Sequence, residues 1–250
     1  MAAKWTGVAG LGLLLAACQP APESYYPLEA GATWRYVMSG EVHTFAGWAR
    51  ERDGIHRQTV GRAVDDYFVD VSTQPPRPLG GREATPMMSA SQLQQGFGFS
   101  FWVRDALGVA EIARQPRGAA EPTLLAAPVY ALRFPLRIGT SWDTSEPTQF
   151  AGQDVTLQGS ARIAAVDETV TVPAGTFRRC VRVDSEASAR ALIAHLHGRD
   201  IDGEAEIETR NSLWLAPGVG PVKVTSREAI RPSALGSGEQ TLELVRFSPR

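Results

Sequence analysis

Alternation with a period of two runs through this chain. Val155, Leu157, Gly159, Ala161, Ile163 and Ala165 fall on one side of an extended segment, and Thr156, Gln158, Ser160 and Arg162 on the other. That is the pattern of an antiparallel strand with one buried and one wet face. Trp34, Tyr36 and Met38 alternate in the same way with Thr33, Arg35 and Val37, and Val222 and Val224 with Lys223 and Thr225. Residues 67–71, 97–104, 109–113 and 241–247 read as further strands from their β-branched and aromatic content. Turn chemistry separates these runs. Arg52-Asp53-Gly54 suits a tight hairpin, and in Val172-Pro173-Ala174-Gly175 proline presets φ while glycine accepts left-handed backbone. A hairpin tip is expected over 197–203, with its return strand over 204–215. Ser39-Gly40 reads as a turn, 74–81 as a loop and 87–95 as a short helix. No stretch carries a helical period of useful length. The predicted class is all-β: tandem antiparallel β-meander units forming curved sheets or half-barrels, with few short helices.

The units are tandem because two motifs recur. Tyr26-Pro27-Leu28-Glu29-Ala30-Gly31-Ala32-Thr33-Trp34 is echoed by Phe134-Pro135-Leu136-Arg137-Ile138-Gly139-Thr140-Ser141-Trp142, and Ser100-Phe101-Trp102-Val103 by Ser212-Leu213-Trp214-Leu215. Four of the five tryptophans beyond the first twenty residues therefore occupy repeated positions. The predicted organisation is a leader over 1–17, a tether over 18–24, a first β repeat over 25–114, an Ala- and Pro-rich linker over 115–132 and a second β repeat over 133–250.

The leader has a weakly positive start at Lys4 and an apolar run too short to span a bilayer as a mature helix. It closes on Leu15-Ala16-Ala17-Cys18, which resembles the lipobox of bacterial lipoproteins: an aliphatic residue, two small ones and the cysteine that is acylated. The resemblance implies cleavage before Cys18 and a lipid anchor, palmitate included, on that residue. Gln19, not Asp, follows the cysteine, which in such lipoproteins implies sorting to the outer membrane, facing the periplasm. Pro-Leu-x-x-Gly-x-x-Trp, Val172-Pro173-Ala174-Gly175-Thr176-Phe177 with Cys180 close behind, and Trp214-Leu215-Ala216-Pro217-Gly218-Val219-Gly220 are similar to a bacterial family of exported lipoproteins of unknown function. That family implies an address and a fold but no catalytic residues. Arg178-Arg179 ahead of Cys180 departs from its pattern.

Charge and chemistry narrow the function by exclusion. The formal net charge is −2, so no bulk attraction to nucleic acid is expected. Lys4 and Lys223 are the only lysines among 25 basic residues, a skew that reflects coding composition more than an anion-binding surface. With Cys18 acylated, Cys180 has no partner for an intramolecular disulfide. Nucleophile elbows, phosphate loops and zinc-protease motifs are absent from the sequence. His195 and His197, two apart on a strand, could share a face and take a metal with Asp200 or Asp202. The simpler reading is a solvated hairpin end, and no metal or other cofactor is expected. Glu204, Glu206 and Glu208 read as the wet side of a sheet. Trp102 and Trp214 are the candidate ligand residues. Alternation places each opposite an apolar face, either covered by a loop or forming an aromatic lip for an acyl chain or a glycan. The expected function is a non-enzymatic envelope lipoprotein, held to the membrane by its N-terminal lipid, that binds an envelope protein or a hydrophobic ligand. The alternative is a carrier of lipid or lipoprotein acyl chains in a half-barrel cavity, which would need a continuous apolar interior.

Overall fold

A computed structural model describes residues 20–51, 54–91, 94–150, 153–196, 199–231 and 237–249. Cys18 and His197 lie outside the described residues, as do the side chains of His195, Asp200 and Asp202. The chain enters through a 3₁₀ turn, Pro22–Tyr25, and then runs as strands: β1 (Thr33–Glu51), β2 (Gly54–Thr73), β3 (Arg77–Leu79), β4 (Arg82–Ser91), β5 (Gln94–Asp105), β6 (Gly108–Gln115), β7 (Thr123–Arg133), β8 (Ser141–Phe150), β9 (Gln153–Val172), β10 (Gly175–Leu196), β11 (Arg199–Ala216), β12 (Gly220–Arg231) and β13 (Ser237–Ser248). All but β3 form one antiparallel path, β7-β6-β5-β4-β2-β1-β13-β12-β11-β10-β9-β8, a nearly closed barrel-like sheet. β3 adds a short edge ladder to β4.

The path is two six-strand meanders joined where β1 pairs with β13, from Thr33↔Ser248 to His43↔Ser237. The motif tryptophans Trp34 and Trp142 sit at the head of β1 and β8, the first strand of each meander. Both are buried, at 2% and 5% exposure. Trp34 donates its indole N–H to the Val219 carbonyl at 2.7 Å and packs against Phe247. They belong to one core with Tyr25, Tyr26, Tyr36, Leu132, Ile163, Val181, Leu215, Val222 and Leu244. Two smaller clusters flank it. One gathers Ala84, Phe101, Val103, Ala110 and Ile112; the other Leu157, Ala189, Ala205, Ile207 and Ile230.

The far ends of the sheet, β7 and β8, share no ladder among the described residues. Side chains bridge that seam. Trp142 donates to the Tyr130 carbonyl at 3.1 Å, and Arg114 of β6 reaches the Pro147 carbonyl at 2.9 Å and the Glu146 carboxylate at 3.0 Å. Arg114 also grips the buried Glu111 through two bonds of 2.8 and 2.7 Å, and these hold its guanidinium well above its ordinary pKa.

Several expectations need correction. Ser39-Gly40 does not turn the chain: Gly40 sits in the middle of β1 at a bulge against β2. Its φ is +153°, and a Cβ there would fall on the Glu239 carbonyl oxygen, so glycine answers a close strand approach. Residues 82–91 form β4 and not a helix, because Met87 and Thr85 face the core while cross-strand pairs with β5 take up the backbone. The segment read as a linker over 115–132 contains β7, and the connection between meanders is 134–140. β7 tolerates Pro128 because it is an edge strand, with one side free of ladder bonds. The loop over 74–81 contains the three-residue β3.

Candidate functional site

Register decides which face each tryptophan takes. From Trp34 the pairs Trp34↔Val71, Thr73↔Met87, Met87↔Ser100 and Thr85↔Trp102 run without a bulge between them, so Trp102 points to the same face as Trp34. In the other direction Val37↔Glu243, Glu243↔Lys223, Lys223↔Trp214 and Arg182↔Trp214 form a second row, opposite to Tyr36, Leu244, Val224 and Leu213. Trp102 and Trp214 lie in the fourth ladder strand of their respective meanders but on opposite faces of the sheet. They do not make one lip.

The reason lies in β5, where both faces are covered. Phe99, Phe101 and Val103 pack with Leu79 of β3, and the Arg77 guanidinium lies 4.7 Å over the Phe101 ring. Trp102 is capped by the incoming chain. It stacks on Tyr26 at 5.0 Å, and its indole N–H donates to Ser100 Oγ at 2.7 Å. Burial, with Glu111 nearby, raises the Tyr26 hydroxyl pKa. Trp102 is thus a half-buried part of the core wall.

Trp214 also packs against the main core, but its polar edge is tied into an ionic network. Its indole N–H donates to Glu168 Oε2 at 2.6 Å, and the other oxygen of that carboxylate accepts from Arg182 at 2.8 Å. Arg182 Nε lies 3.1 Å from Asp184 Oδ1, close enough for ion pairing but without a hydrogen bond, while Ser212 Oγ donates to the same oxygen at 2.8 Å. Lys223 and Glu243 pair at 2.8 Å on the other side. This network fixes Trp214, two residues along β11 from Ser212, which lines an open groove of about 540 Å³. Arg162, Asp184, Glu186, Arg210, Arg227 and Glu239 line the groove, with Ser160, Ser212 and Thr225 between them. A second depression continues it past Gln158, Ser188 and Glu208. Where the groove crosses β9, Gly159 lets that strand approach β10 so closely that a Cβ would fall on the Glu186 carbonyl oxygen. Three arginines oppose three carboxylates in the first depression, so the surface offers many donors and acceptors and no net charge.

This groove is not evident from the sequence alone. The signal was present in the wet-face residues of 155–165, but only the register Arg162↔Asp184, Ser212↔Thr225 and Arg227↔Glu239 gathers them across five strands. Glu204, Glu206 and Glu208 lie outside the first depression. Glu208 faces Arg231 at 3.4 Å and Glu204 faces Arg190 at 3.8 Å, in keeping with a solvated face. Among the described residues no cluster of His, Cys, Asp and Glu could hold a metal.

Cys180 is fully buried and free. The ladder shifts between Phe177 and Cys180, and Arg179 adopts φ of 58°, which turns the cysteine inward behind the two arginines. Burial pushes its thiol pKa up to about 11. The thiolate is the reactive form, so at pH 8 iodoacetamide is expected to leave folded protein unmodified and to react without prior reduction once the protein is unfolded. Mass spectrometry checks this; rapid labelling of the folded protein would contradict it.

No protein-family model matches the chain, and no curated protein matches it significantly. Two solved structures are similar to it. One is an inferred exported protein with a YmcC-like fold from Bacteroides fragilis, 11% identical over 90% of this chain and 98% of that one, with a TM-score of 0.43. The other is an inferred lipoprotein from Parabacteroides distasonis, 12% identical over 90% of this chain and 98% of that one, with a TM-score of 0.41.

Proposed function

We propose that this protein is a non-enzymatic envelope lipoprotein, anchored in the outer membrane through lipid on Cys18, that faces the periplasm and binds a polar, hydroxyl-rich partner along the groove beside Trp214. The observation that carries this reading is the groove: charge-balanced and lined by hydrogen-bonding side chains, with Trp214 held two residues along the strand from Ser212 of its lining. Indole faces and paired carboxylate and guanidinium groups suit a glycan strand better than an acyl chain. Acyl carriage is the weaker reading because the buried apolar side chains of the described residues fall into separate clusters. The core and the Leu157–Ile207 cluster are distinct, and Ser185, Asn211, Ser226 and Gln240, which follow one another in register, lie between them; the first three also line the groove.

Titration of isotope-labelled protein with soluble peptidoglycan fragments is expected to shift amide signals of 160–162, 184–186, 210–212 and 225–227. Trp214→Ala is expected to weaken that binding about tenfold, the loss of roughly 1.4 kcal/mol. Uptake of a fluorescent fatty acid, with shifts on the inner face and none in the groove, would favour carriage instead. The anchor has its own test. Cys18→Ser is expected to leave the protein uncleaved or soluble in the envelope, and normal processing with unchanged membrane fractionation would refute the lipidation.

A further inference from the structure

Among the described residues three large hydrophobic side chains are exposed: Leu107 at 51%, Leu124 at 52% and Ile138 at 68%. Scattered exposed leucines need no explanation. Leu107 and Ile138, however, occupy neighbouring turns at one end of the sheet, joined where the Phe134 N–H donates to the Leu107 carbonyl at 2.9 Å. Both turns are rigid. Asp105 Oδ1 accepts from the Leu107 and Gly108 N–H groups at 2.9 and 3.1 Å, which holds the Leu107 side chain outward. The loop carrying Ile138 is fixed by Thr140 N to Arg137 O at 3.0 Å, Gly139 N to Ile163 O at 2.9 Å and Thr140 Oγ1 to Pro135 O at 3.0 Å. Among the described residues nothing covers these side chains, although each turn could have carried a polar residue at no cost to its hydrogen bonds.

The N-terminal segment is fastened across the same end. Arg104, next to the Leu107 turn, donates to the Glu23 and Tyr26 carbonyls at 3.0 and 2.9 Å. The Gly218 N–H donates to Ser24 O at 2.8 Å, and the Tyr25 hydroxyl donates to Arg179 O at 2.9 Å. Residues 23–26, five to eight positions after Cys18, are therefore held at this end. Arg137, exposed beside Ile138, and Arg133, which lies 4.6 Å over the Tyr130 ring, supply cationic heads on long apolar stems. Such side chains suit the boundary between lipid headgroups and acyl chains.

We propose that the Leu107 and Ile138 turns form a bilayer-docking face that seats the protein on the membrane carrying its anchor. The inference rests on the lipidation of Cys18. It adds that the protein body does not swing on a free tether but stands on these two turns, with the groove held away from the lipid.

The test uses the mature lipidated chain in vesicles of phosphatidylethanolamine and phosphatidylglycerol, with a nitroxide on Ile138→Cys or, separately, on Arg227→Cys. Cys180 is buried and stays unlabelled in the folded protein. Collision with a water-soluble nickel chelate is expected to be at least about threefold slower at 138 than at 227, and Leu107→Ser is expected to remove most of that difference. Equal collision rates at the two positions would overturn the docking face, whatever the state of the anchor. The intact mass of the same sample reports lipidation independently. A lipidated protein with an open 138 position thus defeats the docking face alone, and an unmodified Cys18 defeats the anchor and with it the docking face that rests on it.

Discussion

Trp34→Ala and Trp142→Ala are each expected to lower the free energy of unfolding by about 3–5 kcal/mol, among the largest effects of any single substitution in this chain. Both rings are almost completely buried, and both indole N–H groups are bonded to backbone carbonyls across the fold, Trp34 to Val219 and Trp142 to Tyr130. Truncation removes the buried area, opens a cavity and leaves a carbonyl without its donor. Against a typical domain stability of about 5–15 kcal/mol, such a loss puts the folded state at risk. Urea unfolding followed by tryptophan fluorescence measures it. Trp142→Phe separates the contributions, since it keeps most of the apolar volume and removes only the bond to β7. A loss below about 1 kcal/mol for either alanine variant would mean that its pocket closes over the missing ring.

Arg114→Met is expected to cost about 3 kcal/mol, although Arg114 is itself one-third exposed. The penalty comes from what is left behind. The Glu111 side chain is 7% exposed and takes both of its close bonds from this one guanidinium. Without it a carboxylate is buried beside Tyr26 with no counter-charge, and the Pro147 carbonyl on the β8 edge loses its donor. Glu111→Gln combined with Arg114→Met should recover much of the loss, because an apolar or neutral pair avoids the buried charge. A double variant no more stable than Arg114→Met alone would assign the effect to the seam bond and not to the charge.

Single strands and hairpins could be read from the chain where turn residues and alternation agree. Val172-Pro173-Ala174-Gly175 closes the β9–β10 hairpin as expected, with Val172 paired to Gly175. Leu157, Ala161 and Ile163 are buried while Gln158, Ser160 and Arg162 are exposed. Reading failed where a local pattern has two physical causes. Phe99, Phe101 and Val103 form an apolar stripe, but β3 covers that stripe and the incoming Tyr25-Tyr26 segment covers the other side of the sheet, so the stripe alone could not say which side holds the main core. Ala- and Pro-rich sequence marks linkers, yet the same composition is tolerated in β7, an edge strand. The groove was illegible for a related reason: its members come from five strands, and cross-strand register depends on turns and bulges that a single sequence leaves undetermined.

The joint between β1 and β13 has a bearing on how the chain comes to be folded. Most other ladders pair strands that follow one another directly, so they close short loops and form quickly. The β1–β13 ladder alone brings the first strand to the last, with Thr33 opposite Ser248. Until β13 is in place, β1 can pair only with β2, and Tyr36 has no Leu244 to pack against. Folding of this protein is therefore expected to pass through a half-zipped chain with an exposed β1 edge, the stage at which premature pairing with another copy would do the most damage.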